Sequence, residues 1–150
     1  MEGFIFGNKI IDAVFLAWLF AQSWKVIDYY MKEKKINFKK FIETGGMPSS
    51  HSSTVVSLMV AVAKVDPDGV KSTNFAISFV LALVVMYDAA GVRHAAGKQA
   101  KVINKIIKDI KEQRGIKIIE ENLKEILGHT PVEVIFGATL GAIISIIVFM

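Results

Sequence analysis

Two histidines, two cations and a run of hydroxyls are the residues of this sequence with chemistry to offer. The stretch from Gly45 to Ser53 breaks regular structure with two glycines and a proline. It then delivers Ser49, Ser50, His51, Ser52 and Ser53 into the start of an apolar run, Val55 to Val65, that reads as helix. A helix N-terminus carries unpaired N–H groups and the positive end of the macrodipole, so this stretch favours an anion. Pro48 is expected at the first helical position, where its missing N–H has no partner to lose. His129 and Glu133 are four apart, on one face of a helix or its opening turn. The carboxylate is then placed to hold the imidazole in one tautomer and raise its basicity. His51 can protonate a leaving oxygen. Lys25 and Arg93 supply positive charge, the arginine as a two-pronged fork. Two histidines with cationic clamps and no metal cage point to phosphoryl transfer through a phosphohistidine.

The elements that must position these groups are apolar. Just over half of the 150 residues are hydrophobic, yet the net charge is +4, so charge and apolar runs are segregated as in a membrane protein with basic loops. No cysteine is present, which excludes disulfides, thiolate chemistry and cysteine–zinc sites. Four apolar segments stand out, at about Ile10–Ile27, Ser52–Val65, Phe75–Tyr87 and Val132–Met150. The first leads into Lys25 and a basic stretch rather than a small-residue cleavage site, so it reads as a retained span. Lys25 to Lys40 holds six lysines, and Arg93 to Lys124 holds nine Lys or Arg. With four spans both basic stretches fall on one side, which the positive-inside rule makes cytoplasmic, with both termini outside. Lys25, Ser49, Ser50, His51, Asp88, Arg93, His129 and Glu133 then all gather at that face. Ionisable groups beside spans are costly and tend to mark function.

Between Gly97 and Gly128 the pattern changes. Val102, Ile103, Ile106, Ile107 and Ile110 recur at helical spacing with lysines opposite, and Ile118, Ile119, Leu123, Ile126 and Leu127 follow after Gly115. Two amphipathic helices are expected, lying on the membrane surface or packed as a hairpin beneath the bundle.

Several strings carry a family resemblance. Pro48-Ser-Ser-His51 is similar to the Pro-Ser-Gly-His motif of the type 2 phosphatidic acid phosphatase superfamily, which includes the vanadium haloperoxidases. The strings at 21–25, 44–52, 87–93, 96–100 and 123–134 resemble its divergent bacterial, archaeal and plant branch, in order over nearly the whole chain. The resemblance implies that Lys25, Ser49, Ser50 and Arg93 bind phosphate, that His51 is the acid, and that His129 is the nucleophile with Glu133 as its acidic partner. Three departures stand out. No Arg-Pro follows Lys25, so the second cation is Lys34, Lys35 or Lys40, or is absent. Ser50 replaces the motif's glycine, and Glu133 replaces an aspartate. His94 is beside Arg93, at the wrong distance to replace His129.

The expectation is therefore a single all-α domain over 1–150: a polytopic membrane bundle of about four transmembrane helices with a cytoplasmic amphipathic hairpin. Its expected work is metal- and cofactor-independent hydrolysis of a lipid-linked phosphate or diphosphate, with no nucleic-acid partner. Plainer readings stay open. Ser49 to Ser53 also suit an N-cap cluster, His129 an interfacial histidine ahead of Pro131, and Lys25 a snorkelling lysine. Asp88, Gln99 and Asn104 suit either support of the site or helix packing, and Asp88 with Glu133 could hold a metal. The small-residue repeat Gly137 to Gly141 can pack a span within the chain or between copies. The whole could also be a non-catalytic binder of anionic lipid, or an assembly protein docking through its basic hairpin.

Overall fold

The computed structural model describes residues 2–43, 45–114, 123 and 128–150. The described residues form α1 (Lys9–Glu33), α2 (Ser50–Val65), α3 (Thr73–Ala90), α4 (Val92–Arg114) and α5 (Pro131–Val148), with single 3₁₀ turns at Phe38–Phe41 and Gly69–Lys71. Among the described residues three helical stretches are long and apolar enough to cross a membrane: Lys9–Glu33, Thr73–Ile110, which runs through α3 into α4, and Pro131–Val148. The 16 residues of α2 extend only about 24 Å at ~1.5 Å per residue, against a hydrocarbon core of ~30 Å. Its shortness fits its place, because α2 packs against α1, α3 and α5 at the centre of the bundle. The second arm of the expected hairpin falls almost wholly outside the described residues.

α1, α2, α3 and α5 each begin where the sequence provides a cap. Asn8 accepts from the N–H groups of Ile10 and Ile11, and Ser72 from Phe75. Thr130, Pro131 and Glu133 open α5 with a capping box and a proline in the first turn. At α2 the expectation needs correcting. Ser49, in extended conformation, is the N-cap and α2 starts at Ser50, so Pro48 lies ahead of the helix rather than at its first position. The Ser49 hydroxyl accepts from Ser52 N–H (3.3 Å), which a proline in that place could not do.

Small residues let the helices close on one another. Ala13, Ala17 and Ala21 on α1 are fully buried, and Ser53 of α2 donates its hydroxyl to the Ala17 carbonyl at 3.0 Å. On α5, a Cβ at Gly137 would strike the Ser49 carbonyl and one at Gly141 the Ser53 carbonyl. Ser57 and Ser145, one turn further along, are also fully buried. The repeat Gly137 to Gly141 thus packs α5 on α2 within the chain. Large side chains point the other way: Phe20, Trp24, Val80, Val84, Ile135 and Phe136 are exposed. An interior of small residues beneath an apolar exterior is the arrangement lipid favours.

The bundle has two unlike ends. At one, Lys9 lies 5.0 Å from the centre of the Phe149 ring, so the starts of α1 and the end of α5 meet. Asp12 is buried there because the N-terminal segment folds back over it, with Ile5 and Phe6 donating N–H groups at 3.0 and 2.9 Å. The other end gathers Lys25, the start of α2, the end of α3 and the start of α5.

Candidate functional site

His129 is held from its backbone. Its N–H donates to the Ala89 carbonyl at 2.9 Å, using an acceptor at the end of α3 that its own helix leaves unpaired. Gly128 sits in the left-handed region (φ +81°) against the Arg93 and His94 backbone, where a Cβ would collide. The chain bends under this contact at Gly91 (ψ −88°), between α3 and α4. A histidine next to a glycine thus finds its position on a helix end more than thirty residues upstream.

His129 is 2% exposed, and among the described residues neither Nδ1 nor Nε2 has a hydrogen-bond partner. The His51 ring, in the first turn of α2, stands 5.5 Å away, centre to centre, at 76°. Its Nδ1 is also buried without a partner. Buried polar nitrogens are normally satisfied, and these two imidazoles keep three nitrogens without a partner among the described residues. Burial pushes the His129 imidazole down to about 4, and the charges of Lys25, His51 and Arg93 push the same way. His129 is neutral at pH 7 and keeps a lone pair.

The cations stand around this pair differently from each other. Lys25 is 6% exposed, donates to the Glu43 carbonyl at 3.3 Å, and lies 3.5 Å from the Ser50 hydroxyl. Among the described residues no carboxylate lies within ion-pair distance of it. Arg93 is half-exposed and spends its Nε on Asp88 at 2.6 Å. Ser49 is fully buried: its N–H donates to the Glu133 carbonyl (3.0 Å), and its hydroxyl accepts from Ser52 Oγ (3.0 Å).

Other expected residues fall elsewhere. The Glu133 carboxylate does not reach His129 here; it accepts from the Thr130 N–H at 2.9 Å and closes the capping box. Both uses follow from its sequence position, and the local one wins because the amide is three residues away and already oriented by the turn. Asp88 supports Arg93. Gln99 is exposed on α4, and Asn104 binds the Leu123 backbone, so neither is placed with the histidines. Of Lys34, Lys35 and Lys40, it is Lys40 that lines a cavity with Lys25, a space of about 240 Å³ also lined by Tyr29, Glu43 and Gly46. Lys40 is paired with Glu43 there and lies over the Tyr29 ring.

Sequence reasoning passed over Gln22. It is 6% exposed with an orphaned Oε1, and lines a groove of about 340 Å³ with His51, Ser50, Trp18, Val55 and Val85. Its signal was its spacing, three residues before Lys25 and so on the same face of α1.

The family model that matches residues 6–144 is described as the divergent PAP2 family. The chain belongs to that family. A relative, the uncharacterized membrane protein YuiD of Bacillus subtilis (strain 168), is 39% identical over 138 residues, covering 86% of each chain. No solved structure matches. Membership of the divergent PAP2 family makes this a phosphatase-related integral membrane protein, and the apolar helices agree with the relative's description as a membrane protein.

Proposed function

We propose that this protein hydrolyses a lipid-linked phosphomonoester or diphosphate at one membrane face, through a phosphohistidine. The observation that carries the reading is the pair of imidazoles with nitrogens unpartnered among the described residues, beside the buried Lys25 ammonium, which has no carboxylate partner there. A phosphoryl group is the guest that answers all of them. Neutral His129 attacks phosphorus, and the bond to the leaving oxygen breaks as His51 delivers a proton to it. His51, now neutral, takes a proton from the water that attacks the phosphohistidine, which frees phosphate and restores both rings. Lys25, Arg93, Ser49 and Ser50 hold the phosphoryl oxygens. Glu133 acts through the backbone, fixing the Thr130–Pro131 turn that follows His129. The groove ending at His51, walled by Trp18, Val55 and Val85, supports a substrate with an apolar tail.

The test is phosphate release from polyprenyl diphosphate or phosphatidate by the purified protein in detergent. His129→Ala should lose at least about a thousandfold, and His51→Ala on the order of a hundred- to ten-thousandfold. Unchanged release by His129→Ala would remove it as nucleophile. One observation favours a second reading, a non-catalytic binder of anionic headgroups: the Glu133 carboxylate is committed to the helix cap, so no described group fixes the His129 tautomer. A parent protein inactive on a broad lipid panel that still binds vanadate would select that reading.

A further inference from the structure

Among the described residues, α4 packs only against its neighbour α3. At about 100° per residue its side chains divide into three arcs. Gly97 and Ala100 are buried and Asn104 and Ile107 partly so; on this side Asn104 donates to the Leu123 carbonyl (2.8 Å) and accepts from its N–H (3.1 Å). This arc faces protein. The next holds Val102, Ile103, Ile106 and Ile110, which are 58, 44, 51 and 39% exposed. The third holds Lys98, Lys101 and Lys105, all exposed.

We propose that α4 lies on an anionic bilayer surface, with Val102, Ile103, Ile106 and Ile110 in the acyl boundary and the lysines against headgroup phosphates. Continuity supports the placement. α4 begins two residues after the end of α3, a helix in a membrane-crossing stretch, and does so at the site end of the bundle. It therefore starts at headgroup level. An uncovered branched-aliphatic face bordered by lysines is the pattern of an interfacial helix, and basic residues near the surface add attraction for anionic lipid. A second copy of the chain would cover the isoleucines but set Lys98, Lys101 and Lys105 beside their own copies, with Asp109 the one exposed carboxylate described on α4 to meet them. The proposal holds whether or not the site turns over.

The sequence has no cysteine, so single introduced cysteines carry a nitroxide at one known place. The full chain with Ile106→Cys, Ile103→Cys or Lys105→Cys is labelled in nanodiscs of phosphatidylcholine with phosphatidylglycerol, and accessibility to oxygen and to a nickel chelate is measured. Labels at 103 and 106 should be several-fold more accessible to oxygen than to nickel, and the label at 105 the reverse. Replacing Lys98 and Lys101 by glutamine, or removing phosphatidylglycerol, should bring nickel to position 106. Nickel access at every position overturns the proposal, as α4 would then stand in water. Shielding of 103 and 106 from both reagents also overturns it, in favour of a second copy. Shielding indifferent to lipid charge and to the lysine substitutions removes the anionic surface as the partner.

Discussion

The chemistry of the site turns on one proton at His129. Its imidazole is pushed down to about 4 by burial and by the charges of Lys25, His51 and Arg93, against ~6.5 for the unfolded chain. Between these values the unfolded state binds the proton and the folded state does not, so stability rises with pH. The full contribution is present above about pH 6.5 and is lost as pH falls toward about 4, by roughly 3 kcal/mol at most. Thermal unfolding in detergent should show this acid slope, and His129→Gln should flatten it. An oxyanion between His129 and Lys25 reverses the electrostatics, since a negative guest favours imidazolium. Phosphate or vanadate should therefore lift the acid limb of the parent and leave that of His129→Gln where it is. A parent slope that survives His129→Gln unchanged would assign the titration elsewhere.

Among the elements, the α2–α5 contact carries the geometry of the site. Gly137 and Gly141 bring α5 directly onto the Ser49 and Ser53 carbonyls, and backbone atoms cannot turn aside as a side chain can. Gly141→Ala should lower stability by roughly 1–3 kcal/mol, the range of overpacking in a tight interface, measured as a fall in unfolding temperature. Gly137→Ala displaces Ser49 and the first turn of α2, so it should also weaken vanadate binding, whereas Ala at exposed Thr139 should do neither. Equal loss of vanadate binding at all three positions would break the link between this contact and the site. The contact was legible in the sequence as a small-residue repeat, and the apolar helices as hydrophobic runs, whereas the caps Asn8, Ser72 and Thr130 became visible only in the fold. Less legible was the competition at Glu133, where one carboxylate could reach the imidazole or the Thr130 amide and spacing alone does not choose. Gln22 was hidden for a different reason. An amide inside an apolar run looks like an interruption until folding sets it beside His51. The capture of His129 by the Ala89 carbonyl depends on a contact between segments forty residues apart, which no local pattern encodes.

At the scale of the molecule, orientation follows from the unlike ends of the bundle. The end where Lys9 meets Phe149 holds both described termini and the Asp66–Gly69 turn. The opposite end receives the lysines from Lys25 to Lys40 and the basic helix α4. Basic residues near helix ends resist transfer across the membrane, so the site end should be cytoplasmic and the termini outside. The shortness of α2 gives this orientation a chemical consequence. A helix of about 24 Å cannot reach both surfaces of a ~30 Å core, so α2 does not carry His51 beyond the level at which α3 ends and α4 begins, the level the His129–Ala89 bond shares. On the proposed reading a lipid phosphate meets the histidines at that level, beside buried Lys25, which has no carboxylate partner among the described residues. A reporter fused after Met150 should be active only outside the cytoplasm, and so should one placed before the N-terminal segment, because the two chain ends share one end of the bundle. A cytoplasmic signal from both would invert the protein and put the site outside. Signals on opposite sides would contradict the Lys9–Phe149 contact itself, and with it the even number of crossings on which the cytoplasmic site depends.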